Sequence, residues 1–136
     1  MDATAVVIVG SVFAGIAGLI HVYIWVLESV LWTRDSTRRT FGVKTAEEAD
    51  ILRVMAYNQG FYNLFLALGV VVGLLLLWSG LAVAGIALVL FACLCMVLAA
   101  LVLLSSNRRM LRAALVQGAA PLAAVVLLAF ALTRVG

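Results

Sequence analysis

A glutamate and a histidine lie within a long apolar stretch near the start of the chain. Glu28 follows His21 by seven residues, and Trp25 lies between them. Steps of four and three residues place all three side chains on one face of a helix. A carboxylate next to an indole ring is chemically suited to an organic cation. Acid–base chemistry is the alternative, although His21 and Glu28 are about 10.5 Å apart along a helix, so a substrate would have to bridge them.

Two later apolar stretches carry further polar side chains. One contains three amides and a phenol, and the other contains a glutamine four residues before a proline: Asn58, Gln59, Tyr62, Asn63, Gln117 and Pro121. Proline has no N–H group, so the carbonyl of Gln117 lacks its helical donor, and we expect a bend there. Polar groups are costly inside a membrane. We therefore predict a binding site made of His21, Trp25, Glu28, Asn58, Gln59, Tyr62, Asn63 and Gln117.

Other roles for these polar residues stay open. An interior amide can simply hold helices together, at about 0.6 kcal/mol on average. Glu28 could form a structural ion pair with Arg53 or Arg112. A buried carboxylate needs hydrogen-bond donors or a cation, and the donors that we expect opposite Glu28 are Asn58, Tyr62 or Gln117.

Composition places these residues in a membrane. The chain has 136 residues, of which 67% are hydrophobic and 11% are charged. Soluble domains are about 45–50% apolar and about 25% charged, so a soluble globular protein is excluded. The net charge is +3, but no basic stripe with interleaved aromatic residues suggests nucleic acid as a partner. The lipid bilayer is the expected surrounding.

Four segments are long and apolar enough to span a bilayer, which requires about 20 residues in a helix. They cover approximately residues 5–32, 51–78, 81–104 and 111–133. Thr45 and Glu48 fit a capping box, which predicts that the second helix begins near Ala46, before its apolar part. The predicted fold is all-α: a single transmembrane domain over residues 1–136, formed by a bundle of four helices, with a substantial loop only at about 33–46.

The basic residues predict the orientation. Eight of the nine flank the first and third connections: Arg34, Arg38, Arg39, Lys44, Arg53, Arg108, Arg109 and Arg112. The positive-inside rule places both connections in the cytoplasm, so Met1 and Gly136 lie outside a multi-pass protein of the cell inner membrane. The polar residues of the first, second and fourth spans fall in the cytoplasmic half. A polar cavity between these spans should therefore open towards the cytoplasm.

Small residues indicate how the helices pack. Gly10, Ala14 and Gly18 recur at four-residue intervals in the first span, and Gly69 and Gly73 do so in the second. Such faces let helices approach closely. We interpret them as contacts within one bundle, with a homodimer as the alternative. Two residues apart on a helix, Cys93 and Cys95 point about 200° apart, so they can share neither a metal nor a disulfide. No metal site and no cofactor are predicted.

Several segments together resemble a family of small bacterial four-helix membrane proteins of unknown function. The resemblance spans most of the chain, and its most specific part is the Asn-Gln-Gly-x-Tyr-Asn motif. The matching segments are His21 to Glu28, Leu31-Trp32, Arg39-Thr40-Phe41-Gly42, Asn58 to Asn63, and Val116-Gln117-Gly118 with Pro121. The resemblance implies the fold and the membrane location, and it implies no mechanism.

Three functions compete on this basis. We favour binding or transport of a small amphiphile or organic cation in the polar cavity. An intramembrane enzyme acting on a lipid-like substrate is an alternative, which is weakened because the sequence has no nucleophile motif, His-Glu-x-x-His motif or phosphate loop. A structural or accessory membrane subunit is the third possibility.

Overall fold

Most of the described residues lie in helices. The computed structural model describes residues 2–135, and side chains up to residue 133, so the predicted locations of Met1 and Gly136 concern residues outside the described part. The helices are α1 (Ala3–Trp25), α2 (Asp35–Thr40), α3 (Ala46–Trp78), α4 (Ala82–Ser106) and α5 (Leu111–Val135). A π-helical turn, Val26–Val30, extends α1, and a short 3₁₀ turn, Arg108–Met110, precedes α5.

Four of these helices are long and apolar enough to cross a membrane: α1 with its π turn, α3, α4 and α5. Large apolar side chains cover their outer surfaces, including Leu19, Val83 and Leu101. A water-soluble bundle would place such residues in its core. The predicted all-α fold with four helices able to span a membrane is therefore confirmed.

The four long helices pack in a ring. α1 contacts α3 and α5, and α4 contacts the same two helices from the opposite side. The core between them contains mainly small and medium apolar residues, including Ala14, Val70, Val89, Met96 and Leu128. Because each long helix runs antiparallel to the next one along the chain, the α1–α3 and α4–α5 connections lie at the same end of the bundle.

The small-residue faces lie between helices of the same chain. A Cβ atom added at Gly10 would lie 2.9 Å from the side chain of Leu128 in α5, and one at Gly73 would lie 3.1 Å from the carbonyl oxygen of Gly85 in α4. A Cβ at Gly18 would be in ordinary contact with Val70. These glycines allow close helix packing within the bundle, as the first of the two interpretations predicts.

Capping defines the start of α3. The Thr45 hydroxyl accepts a hydrogen bond from the backbone N–H of Glu48 at 3.1 Å, and the Glu48 carboxylate accepts one from the N–H of Lys44 at 3.0 Å. The helix begins at Ala46, as the capping box predicts. α3 is 33 residues long, or about 50 Å, so it extends beyond a hydrocarbon core of about 30 Å.

The connection between α1 and α3 contains structure that the sequence interpretation missed. The loop expected at about 33–46 includes α2, whose six polar residues show no apolar periodicity, and an Arg38–Asp35 ion pair joins residues three apart. Next to α2, Trp32 packs against Phe41 and donates a hydrogen bond from its indole nitrogen to the carbonyl of Ala49 at 2.8 Å. The connection is therefore folded onto the first turns of α3.

Candidate functional site between α1 and α3

Glu28 lies in the π-helical turn at the end of α1. The N–H of Leu31 donates to the carbonyl of Val26 at 2.9 Å, which is the five-residue spacing of a π helix. Both Leu27 and Glu28 are buried in this turn, and only 8% of Glu28 is exposed. Single π turns within helices occur frequently at functional sites. This irregularity could not be predicted from the sequence, because the apolar spacing of α1 fits a regular helix.

Asn63 of α3 is the hydrogen-bond partner of Glu28. Its side-chain nitrogen donates to Oε2 of Glu28 at 2.9 Å, and it also lies 3.2 Å from the carbonyl oxygen of Gln59. Asn63 is itself only 8% exposed. The expected partners Asn58, Tyr62 or Gln117 are wrong as donors to Glu28. The buried face of α3 includes Ala56, Gly60, Asn63 and Ala67, so Asn63 points towards α1.

Close approach of the two helices depends on Gly60. A Cβ atom at this position would collide with the hydroxyl oxygen of Ser29 and would lie 3.1 Å from Cβ of Glu28. The same hydroxyl donates a hydrogen bond to the carbonyl of Tyr57 at 3.2 Å. Gly60 therefore allows the π turn of α1 to rest directly on α3, which brings Glu28 within reach of Asn63.

Aromatic rings line the same crossing. Trp25 meets Phe61 edge to face, with ring centroids 6.1 Å apart. Phe61 in turn contacts Tyr57 at 5.0 Å and Phe65 at 6.1 Å between centroids. The indole nitrogen of Trp25 is buried and has no hydrogen-bond partner among the described residues. The site thus combines a carboxylate with several aromatic rings and an indole donor.

His21 is the most completely buried of the predicted site residues. It is 1% exposed, and its Nδ1 lies 2.9 Å from the carbonyl oxygen of Ala17. Because a carbonyl can only accept, Nδ1 carries the proton in this hydrogen bond. The neutral ring then presents Nε2 as an acceptor. His21 and Glu28 are on the same helix, two turns apart, and the structure shows no hydrogen bond between them.

The structure separates the remaining predicted residues into different environments. Asn58, Gln59 and Tyr62 are exposed on the surface of the chain, whereas Gln117 is half-buried in α5. α5 continues as one α-helix through the buried Pro121. Of the eight residues predicted to form the site, Glu28 and Asn63 are in direct contact, and Trp25 lies one turn before Glu28 on α1.

No arginine neutralises Glu28 within residues 2–133. Arg53 and Arg112 are exposed, and the ion pair found in this part of the chain joins Arg38 to Asp35. The structural ion pair considered as an alternative is therefore wrong. Among the same residues, no three His, Cys, Asp or Glu side chains come close enough to hold a metal ion.

A shallow apolar depression lies at the other end of α3. Its volume is about 440 Å³, and it is lined by Val71, Leu74, Leu75, Trp78 and Ser79. These residues carry no charge, and they begin eight residues beyond Asn63, the partner of Glu28, along α3. The depression therefore offers no chemistry beyond apolar contact.

Three important residues of the crossing were not identified as site residues from the sequence. Ser29 and Phe61 supply a hydrogen bond and the central aromatic ring, and Gly60 makes the contact possible. One signal was available: Ala56, Gly60, Asn63 and Ala67 follow steps of four, three and four. A stripe of small residues marks the packed face of a membrane helix, and it places Asn63 rather than Asn58 inside.

Comparison with known proteins gives a family and no individual relative. The family described as protein of unknown function (DUF1304) matches residues 15–129. This range includes the whole α1–α3 crossing. Neither the curated proteins nor the solved structures contain a match to this chain.

Proposed function

The chain belongs to the DUF1304 family of proteins of unknown function, and from this premise we propose that it binds a small organic cation or cationic amphiphile at Glu28. The observation that carries the proposal is the Glu28–Asn63 hydrogen bond inside two membrane-spanning helices. A neutral amide offsets part of the cost of burying a carboxylate, but it supplies no positive charge. A bound cation would supply that charge.

The aromatic rings support a cation with apolar substituents. Trp25 and Phe61 lie beside the π turn that carries Glu28, and Tyr57 and Phe65 extend the aromatic surface towards the outside of α3. A cation over an aromatic face gains about 2 kcal/mol or more when it is desolvated. Alkyl or aryl groups on the cation would reduce its own cost of leaving water. The site therefore favours an amphiphilic ammonium ion over a small inorganic ion.

The orientation in the membrane is part of the proposal. The α1–α3 and α4–α5 connections carry most of the basic residues, which favours a cytoplasmic location for that end of the bundle. The cation would then enter from the cytoplasmic side of a cell inner membrane, through a cavity between α1, α3 and α5. Impermeant thiol reagents should label Lys44→Cys and Arg108→Cys only after the cells are opened. Labelling of either variant in intact cells would reverse this orientation.

Binding of a lipophilic cation tests the site. Radiolabelled tetraphenylphosphonium would be titrated into the protein in lipid nanodiscs. We expect saturable binding to the natural chain and at least about a tenfold loss of affinity in Glu28→Gln, which keeps an acceptor for Asn63 and removes the charge. Glu47→Gln is the matched control, because Glu47 is an exposed acid at the start of α3.

A neutral competitor distinguishes binding that depends on the charge of the cation from simple partitioning of its aryl groups into an apolar surface. Triphenylphosphine oxide has a comparable aryl surface and no net charge, so an excess of it should leave tetraphenylphosphonium bound. Equal affinity in the natural chain and in Glu28→Gln would overturn the proposal. Efficient displacement by the neutral compound would do the same, since it would identify the site as an apolar surface.

A further inference from the structure

The connection between α4 and α5 carries positive charge that no acid offsets. Arg108, Arg109 and Arg112 lie within five residues, and all three side chains are exposed. The last acidic residue of the chain is Asp50, so α4, α5 and their connection contain no carboxylate side chain. Within residues 2–133, none of the three guanidinium groups forms an ion pair or a hydrogen bond. These three arginines are therefore available to bind an anion from outside the chain.

The other connection at this end of the bundle differs in its charge. Between α1 and the first turns of α3, five basic residues are accompanied by four acidic ones. The basic residues are Arg34, Arg38, Arg39, Lys44 and Arg53, and the acidic residues are Asp35, Glu47, Glu48 and Asp50. Arg38 is already paired with Asp35. The excess positive charge at this end is therefore concentrated at the α4–α5 connection.

The packing of α4 against α5 gives the depth of these arginines. A Cβ atom at Gly118 would lie 2.9 Å from Cβ of Ala100, so these two residues are at the same level in neighbouring antiparallel helices. Six residues closer to the connection in each helix, Arg112 lies level with Ser106, the last residue of α4. α4 is itself long and apolar enough to span a membrane. The arginines are therefore at the edge of the apolar layer, where the phosphate groups of lipids lie.

Arg112 also begins the outward-facing stripe of α5. Leu115, Ala119, Leu122 and Val126 follow it at steps of three, four, three and four, and all are exposed. Leu115 is 58% exposed and Val126 is 59% exposed. A phospholipid has its phosphate at the same boundary, with its acyl chains directly beneath. The stripe therefore offers apolar contact to the chains of a lipid whose phosphate meets the arginines.

We propose that the α4–α5 connection binds an acidic phospholipid, with its phosphate at Arg108, Arg109 and Arg112 and its acyl chains along the outward-facing stripe of α5. A guanidinium group is a planar fork that can donate two hydrogen bonds to one phosphate. A zwitterionic lipid brings an ammonium group that the three positive charges repel, whereas an acidic lipid does not. Each basic residue near a membrane surface increases the affinity for acidic lipid about fivefold. None of these residues belongs to the proposed cation site.

Native mass spectrometry of the protein in a neutral detergent tests the proposal. Phosphatidylglycerol and phosphatidylcholine with identical acyl chains would be titrated separately, and we expect phosphatidylglycerol to bind at least about tenfold more tightly. The triple variant Arg108→Gln, Arg109→Gln, Arg112→Gln should lose at least about tenfold in its affinity for phosphatidylglycerol. Arg112→Gln alone should lose about fivefold. Arg112→Lys should lose less, because it keeps the charge and removes only the fork.

A second triple variant controls for net charge. Arg34→Gln, Arg39→Gln, Lys44→Gln removes three positive charges from exposed positions at the same end of the bundle. Acids on that connection already offset these charges, so the affinity for phosphatidylglycerol should change by less than about threefold. An excess of inorganic phosphate should leave the lipid bound to the natural chain, because the acyl chains contribute to its binding.

Three results would overturn the inference. These are equal affinities of the natural chain for the two lipids, equal losses of affinity in the two triple variants, and displacement of phosphatidylglycerol by inorganic phosphate. Equal affinities would identify an apolar contact with any phospholipid, and equal losses would identify an effect of net charge. Displacement would identify a site for free anions.

Discussion

The two halves of α3 pack against their neighbours in different ways. Near Trp78, Gly73 of α3 and Gly85 of α4 bring two backbones into contact without any polar side chain. Near the other end, Gly60 brings α3 against the π turn of α1, where Glu28 and Ser29 form hydrogen bonds with Asn63 and Tyr57. We refer to these as the glycine crossing and the polar crossing.

The difference shows where chemistry is possible in this molecule. At the glycine crossing the contacts are backbone atoms, which can neither change partner nor change charge. At the polar crossing the contacts are side chains that a ligand could engage, on a turn with irregular hydrogen bonding. We expect the first crossing to contribute more to the stability of the bundle, and the second to combine a smaller contribution with the proposed binding role.

The largest expected effect is at the glycine crossing. A Cβ atom in Gly85→Ala would lie 2.6 Å from Cα of Leu77 and 2.7 Å from the carbonyl oxygen of Gly73. Because these are backbone atoms, the helices themselves must separate, and we expect a loss of about 3 kcal/mol in the free energy of unfolding. Unfolding by SDS in mixed micelles measures it.

Gly69→Ala is the control for that substitution. Its Cβ would be 3.5 Å from Cβ of Ala92, an ordinary contact. Alanine favours a helix over glycine by about 1 kcal/mol, so this variant should be as stable as the natural chain or slightly more stable. Equal destabilisation by the two substitutions would show that the glycine crossing is not a special contact.

A smaller effect is expected at the polar crossing. In Gly60→Ala the new Cβ collides mainly with the Ser29 hydroxyl, which is the end of a side chain. We expect a loss of about 2 kcal/mol. The double variant Gly60→Ala, Ser29→Ala removes this hydroxyl and should recover at least about half of that loss, which a double-mutant cycle measures. Additive effects of the two changes would contradict the proposed contact.

Trp32→Phe tests the folded connection next to the polar crossing. It keeps an aromatic ring against Phe41 and removes the hydrogen bond to the carbonyl of Ala49. The free energy of unfolding should fall by about 1 kcal/mol. Trp78→Phe is the control, because Trp78 is exposed, and its melting temperature should match that of the natural chain. An equal decrease in both variants would mean that this hydrogen bond contributes nothing.

The smallest effect on stability is expected for Glu28→Gln. Glutamine keeps an oxygen that accepts from Asn63, so the free energy of unfolding should change by less than about 0.5 kcal/mol. Cation binding should nevertheless be lost. A large fall in melting temperature in detergent would instead show that the polar crossing, like the glycine crossing, is mainly structural.

Individual residues show which features could be predicted from the sequence and which could not. The location of Glu28 within an apolar helix and the start of α3 at Ala46 follow from local information, namely apolar segments and a capping box. To identify the hydrogen-bond partner of Glu28, it was also necessary to know which side of α3 faces α1. Asn58 and Asn63 are both amides in one short motif, and only Asn63 faces α1.

The sequence by itself determined the membrane class and four spanning helices, because lipid imposes long apolar helices whatever their neighbours are. It also determined the family. Only the tertiary structure decided that Glu28 lies in a π turn, that the absence of a side chain at Gly60 leaves space for this turn, and that Asn58 faces outwards. These features depend on how two helices fit together, which hydropathy does not encode, because nearly every face of these helices is apolar.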